Sequence, residues 1–303
     1  MKFLYNDWNY WQRKINTNIH PRTRPMLLPS PVLVENERIS LWVNDAYRIL
    51  KKMCALKLPM HAGGFEKPSD QPDCMTLDFA LCQNDEIELV EASAFPNINM
   101  LGFELETIFN CELRLNGVSI AERKKHFKDV VTNGKRVLMI DSDLFAQLTA
   151  HEFSCCEEFA TIASLKSVLA KENRYAYNGN YYNRLYNRVI PFDASPKESK
   201  QLFELLENVN ASSIYGHPYW RYALAKQAQN NISDTNVPHS FNITKDTPWR
   251  PNYVIKPAYG YGGKGVNLTP SRGDWNAVEG KEWLAQRTIQ SAVAVHTPKG
   301  TPL

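Results

Sequence analysis

Residues 254–266 read Val-Ile-Lys-Pro-Ala-Tyr-Gly-Tyr-Gly-Gly-Lys-Gly-Val, and no other stretch limits the possible folds as strongly. Gly260, Gly262, Gly263 and Gly265 fall within six residues, too dense for the interior of a helix or strand, so the segment must be a tip joining two extended arms. Glycines let backbone N–H groups approach an anion closely. Lys256 and Lys264 add fixed positive charge where phosphate oxygens would lie. An ordinary twisted hairpin with a glycine tip is the bland alternative.

Three well-known phosphate loops can be tested against the flanks. A P-loop needs Ser or Thr directly after its Lys and a helix opening there, whereas Gly265 and Val266 follow Lys264. Gly260-x-Gly262-x-x-Gly265 spells the dinucleotide fingerprint, yet Val266-Asn267-Leu268-Thr269-Pro270 reads as a strand ending at proline. A protein-kinase loop would be accompanied by His-Arg-Asp and Asp-Phe-Gly, and the nearest string is Asp78-Phe79-Ala80, upstream of the loop. What remains is strand, glycine loop, strand, then a further strand over 282–289.

A second feature lies far upstream. Residues 76–82 and 86–93 read as two short strands around Asn84-Asp85, residues that tolerate a tight hairpin turn. A two-residue turn pairs Gln83 with Glu86, which places Asp78 opposite Glu91 and Thr76 opposite Ser93. The same face would carry Ala80, Cys82, Ile87 and Leu89 near the turn. Two carboxylates facing each other repel, and a cation between them would relieve this. Magnesium takes one or two carboxylates plus phosphate oxygens, so the pair suffices in number. One buried and one solvated acid sharing a proton or a lysine is the alternative, and a one-residue slip would separate the acids.

Placed together, these residues resemble the ATP-grasp family. Strand, glycine loop and strand look like its nucleotide-binding half, and Asp78 to Asn97 looks like its metal motif, an Asp followed on the next strand by Glu-x-Asn. Ser93 stands where Asn is usual, and the motif precedes the glycine loop, so the chain resembles the circularly permuted branch. That branch includes glutathionylspermidine synthetase-like enzymes and the eukaryotic type of glutathione synthetase. Glu91 to Pro96, Asp141 to Phe153, Arg184 to Ile190 and His217 to Trp220 are similar to a group of bacterial permuted ATP-grasp proteins.

The resemblance implies ATP and magnesium as cofactors. Lys256, Tyr259, Gly260, Gly262, Gly263, Lys264 and Gly265 would surround phosphates, Gln286, Arg287 and Ile289 would line adenine, and Asp78, Glu91 and Ser93 would hold the metal. Lys256 would also act in catalysis, with Arg188 or Arg184 orienting a substrate carboxylate. Arginine suits that task by its bidentate geometry, although a salt bridge at the sheet edge explains Arg184 and Arg188 equally well. The implied reaction joins a carboxylate to an amine, or less often a thiol, through an acylphosphate. The partners would be small molecules such as amino acids or a peptide. A nucleotide-binding scaffold without turnover is the alternative.

Composition agrees with a globular enzyme. The 303 residues, 43% of them hydrophobic, can bury a large core, and a net charge of +3 gives no electrostatic footprint for nucleic acid. No run of about eighteen apolar residues suggests a membrane span, and the N-terminus lacks a signal-peptide pattern. Six cysteines without zinc spacing fit reduced thiols in the cytoplasm.

The expected class is α/β with α+β elements. Residues 1–130 would form the N-terminal part of the ATP-grasp core with the acidic hairpin, 131–215 a βαβα Rossmann-like subdomain with a small parallel sheet, and 216–303 an incomplete glycine-loop subdomain. Strands are expected at 136–140 and 185–190. Ser119, Ser154 and Ser195 each begin a capping box, opening helices that end near residues 133, 173 and 208. Asp141, just past a strand end, would face a ligand, and His217 before Pro218 would be a packing residue. The turn at 297–303, where similar proteins continue with another strand, suggests a fragment.

Overall fold

A computed structural model of the chain describes residues 2–3, 8–23, 32–33, 36–96, 98–109, 117–144, 149–260 and 262–292. Tyr261, Cys111 and the turn at 297–303 lie outside them. The fold is mixed α/β with several sheets, one of them parallel. It divides into two units, each discontinuous in sequence: residues 1–35, 96–217 and 295–303 in the first, residues 36–95 and 218–294 in the second.

The first unit is built on a four-stranded parallel sheet in the order Ile214–Tyr215, Arg184–Asn187, Val137–Asp141, Ala160–Ser164. All five residues of Val137–Asp141 are buried, as expected of a parallel strand covered on both faces. Helix Ile120–Thr132 enters the sheet from a complete Ser119–Glu122 capping box and ends where Asn133 turns left-handed at φ 44°. Helix Pro196–Glu207 opens from the equivalent box at Ser195 and Glu198.

The box spelled at Ser154 does not open a helix. Helix Ala150–Cys156 already contains it, and Ala160–Ser164 is the edge strand rather than part of a helix reaching residue 173. The Ala-Thr-Ile-Ala-Ser sequence is short, carries β-branched residues and pairs in parallel with Val137–Asp141, so strand pairing overrides the local helical signal. A 3-10 turn over Leu165–Ser167 and the first strand of a three-stranded antiparallel meander, Leu169–Lys171, Arg174–Tyr177 and Asn180–Tyr182, take the rest of the expected helix.

The second unit holds the acidic hairpin, Thr76–Leu81 with Ile87–Ser93, and an antiparallel sheet in the order Ser240–Asn242, Trp283–Arg287, Tyr253–Pro257. Helix Arg272–Val278 covers one face of that sheet, where Ile243, Ile255, Trp275, Val278 and Ala285 form a core. Alternation along the strands then sends Lys256, Leu284 and Gln286 to the opposite face. The strand expected over 266–270 is reduced to one bridge, Asn267 with Ile255. Helix Asn36–Cys54 is tied to the 232–237 turn by Arg48 and Lys52, both bound to Asp234.

Candidate functional site

The acidic hairpin pairs Asp78 with Glu91 and Thr76 with Ser93, but by a different route from simple counting. A three-residue 3-10 turn over Gln83–Asp85 closes the hairpin on Cys82 and Glu86, one residue longer than the expected turn, so Leu81 pairs with Ile87 and Phe79 with Leu89. A bulge between Asp78 and Phe79 leaves Val90 without a partner in the ladder and restores the acid pairing beyond it. Ile87 and Leu89 therefore share their face with Leu81 and Phe79, not with Ala80 and Cys82 as expected.

This bulge carries chemistry. It turns the carbonyls of Leu89 and Val90 toward the neighbouring sheet, where Gln286 Nε2 donates to Leu89 O at 3.3 Å and Lys256 Nζ to Val90 O at 2.9 Å. Both side chains are buried, Lys256 to 4% exposure. The lysine has thus been brought to the strand that bears Glu91, although 165 positions separate them in sequence (256 − 91).

Two further cations converge there, neither singled out from sequence. Lys226 Nζ donates to Gly260 O at 2.9 Å and lies 3.5 Å from a Glu91 oxygen. Arg221 donates to the same Gly260 carbonyl at 3.2 Å through one Nη and to Ser93 Oγ through the other. Its guanidinium also lies over the Phe95 ring at 5.5 Å. Arg221 and Lys226 are 7% and 4% exposed. The available signal was two cations in the run from Tyr219 to Ala228, whose other residues except Gln227 are apolar or aromatic, a setting in which a buried charge needs a partner.

The electrostatics follow from that crowding. Burial lowers Lys256 to about 8, with Lys226 acting in the same direction and Glu91 opposing. Lys226 is lowered mainly by burial, with Glu91 restoring part of it. Asp78, which solvent reaches, is raised first by partial desolvation and then by the charge of Glu91. Three buried cations face one half-buried and one exposed carboxylate, so the site carries more positive than negative charge.

The glycine loop meets the conformational demand that its sequence implies. Gly262 and Gly263 are consecutive left-handed residues at φ 58° and 73°, a geometry costly for any residue with a Cβ. Gly262, Gly263, Lys264 and Gly265 are exposed, and Val266 N closes the turn on Gly263 O at 3.1 Å. Tyr259 Oη accepts from Gln227 at 3.2 Å.

The residues expected along adenine are differently engaged. Gln286 holds the bulge, Arg287 pairs with Glu88 at 2.5 Å, and Ile289 is half-buried beyond the strand end. Among the described residues there is no group of three or more His, Cys, Asp or Glu side chains suited to a metal. Asp78 and Glu91 form a pair, and the hydroxyl expected as the third ligand, Ser93 Oγ, instead accepts from a guanidinium.

Arg184 and Arg188 belong to the first unit. Arg184 donates to Val131 O, Ser212 O and Val130 O at 2.6, 3.0 and 3.2 Å, closing the carboxyl end of helix Ile120–Thr132. These bonds engage the donors that the sequence reading gave to a substrate carboxylate. Arg188 lies 4.0 Å from Asp141, over Phe153, and donates to Pro96 O at 3.1 Å. Nearby Glu152 accepts from Met100 N and Leu101 N at the start of helix Asn99–Ile108. His217 is buried, and burial lowers it to about 4, as suits a neutral packing histidine.

No family model and no curated protein matches the chain. A solved structure from Methylobacillus flagellatus KT, of a protein provisionally named gamma-glutamylcysteine synthetase, is similar at 11% identity and a TM-score of 0.44. The match covers 89% of this chain and 76% of that one. No helix among the described residues is long and apolar enough to cross a membrane. Cys54, Cys82, Cys155 and Cys156 are free thiols.

Proposed function

We propose that the second unit binds ATP and that the protein is a circularly permuted ATP-grasp ligase, joining the carboxylate of one small molecule to an amine of another. The observation that carries this reading is the convergence, within one unit, of buried Lys256 and Lys226 and the glycine loop on the strand bearing Glu91. Burying several cations beside too few carboxylates is unfavourable unless an anion completes the set. A polyphosphate fits that need, and exposed loop amides at 262–265 would cover it.

Magnesium fits the acid pair. Asp78 and Glu91 are directly opposed like charges, and the Asp78 carboxyl is raised first by partial desolvation and then by the charge of Glu91. These two residues would hold the ion, which supplies charge neutralisation on phosphate oxygens. Ser93 is not included, because the guanidinium at its oxygen would repel a metal.

Lys256 and Lys226 would neutralise charge developing as the substrate carboxylate oxygen attacks the terminal phosphorus and ADP leaves; the amine would then displace phosphate from the acylphosphate. Amino acids or a small peptide are the substrate class in this reading, and the cytoplasm the compartment.

The engagement of Ser93 by Arg221 favours one other reading, a nucleotide-binding scaffold without turnover. ADP release by the full-length protein, measured against panels of amino acids and small peptides with hydroxylamine as acylphosphate trap, separates the two. The ligase reading expects release stimulated by a carboxylate and lost in Lys256→Met. ATP binding with no stimulation by any carboxylate selects the scaffold, and no ATP binding overturns both.

A further inference from the structure

Arg221 has no counterpart in the motifs that carry the resemblance. It nonetheless spans the site: one Nη is fixed to Ser93, two residues beyond Glu91, and the other reaches Gly260 of the glycine loop. The carbonyl of Gly260 receives both this guanidinium and Lys226 Nζ. Lys226 also has Glu91 at 3.5 Å and Arg221 has Ser93 Oγ, yet both cations share one neutral oxygen at Gly260. An anionic oxygen in its place would add ion-pair attraction to bonds whose donors are already ionised.

We propose that Arg221 is a direct phosphate ligand of this site, anchored on Ser93, and that the Gly260 carbonyl stands in the position a phosphate oxygen takes on binding. The substitution of Ser for the usual Asn at 93 then has a purpose. A hydroxyl accepts from the guanidinium while leaving the acid pair to the metal, whereas an amide there would compete for the ion. The exchange also couples occupancy to the loop, since binding releases Gly260 from the two cations as the loop covers the ligand. This inference rests on the nucleotide reading above.

Calorimetric titration of the full chain with ATP, inorganic tripolyphosphate and adenosine tests it. Arg221→Gln is expected to weaken ATP and tripolyphosphate about tenfold to a hundredfold, in line with loss of a hydrogen bond to a charged group, and to leave adenosine unchanged. Arg221→Lys should lose less, and Ser93→Ala, which removes only the anchor, should weaken both phosphate ligands several-fold. If Arg221→Gln does not fold, the Arg221→Lys and Ser93→Ala variants decide. Unchanged tripolyphosphate affinity in the folded variants, with Lys256→Met abolishing binding, would sink the role of Arg221 and leave the nucleotide reading standing. Equal losses for adenosine and tripolyphosphate would show a structural role only. Wild-type protein that binds none of the three would end both ideas.

Discussion

Lys256 shows how one side chain can be set by its surroundings for anion capture. Its ammonium is buried and donates to the neutral carbonyl of Val90, and burial brings it to about 8, so near neutral pH it remains mostly charged. An unfolded lysine titrates at about 10.4. Between about pH 8 and pH 10 the unfolded chain therefore binds more protons at this site, and stability of the ligand-free protein rises with pH through that window. Polyphosphate binding has the opposite sign, since an anion favours the charged lysine. Affinity is expected to fall as pH rises through about 8, with proton uptake on binding at that pH. Titrations in two buffers of different ionisation enthalpy would reveal the uptake, and Lys256→Met should abolish it. Affinity that stays flat from pH 7 to 10 would refute the assignment. The strand position of Lys256 and the pairing of Asp78 with Glu91 were legible in sequence because each belongs to a short pattern with a geometric meaning. Arg221 and Lys226 were not, because nothing local announces that the run from Tyr219 to Ala228 is buried against a loop more than thirty positions away (260 − 226 = 34).

At the level of elements, the acidic hairpin reached its expected pairing through two departures that cancel. The 3-10 turn, a residue longer than expected, displaced the register by one, and the bulge at Val90 restored it. Turn chemistry at Asn84-Asp85 permits either closure, so sequence could not choose between them. The capping boxes at Ser119 and Ser195 were readable because all their partners lie within four residues, while the same spelling at Ser154 lost to strand pairing. Tertiary ion pairs were invisible for the same reason that local boxes were not. Helix Asn36–Cys54 depends on one of them: Arg48 and Lys52 hold Asp234 at 2.9 and 2.7 Å. The hydrogen bond from Arg48, then that from Lys52, holds the Asp234 carboxyl well below the usual carboxylate range. A depressed acid contributes its stability in full above the unfolded value of about 3.9, and loses it as pH falls toward the folded one. Asp234→Asn should destabilise the protein by about 1.5–3 kcal/mol at pH 7 and by much less near pH 2, judged by urea unfolding. An equal loss at both pH values would show that packing, not charge, is what the aspartate supplies.

Across the whole molecule, the mixed α/β class and the parallel sheet were legible because Val137–Asp141 and Arg184–Asn187 stand out as short apolar strands between capped helices. The grouping of elements was harder to read, since it depends on the chain leaving one unit after residue 95 and returning to it after residue 217. That grouping gathers every proposed phosphate and metal ligand into the second unit, while Arg184, Arg188 and Asp141 fall in the first. A ligand that binds only the native state stabilises it by mass action, by about 2.7 kcal/mol at a hundredfold excess over Kd. If ATP is held by the second unit alone, a non-hydrolysable ATP analogue with magnesium should slow amide exchange at 87–93, 226–231, 253–260 and 283–287. Exchange at 137–141 and 184–187 should be unaffected. Protection of those parallel strands by the nucleotide alone would assign part of the nucleotide site to the first unit. Absence of protection in 253–260 would remove the glycine loop from it altogether.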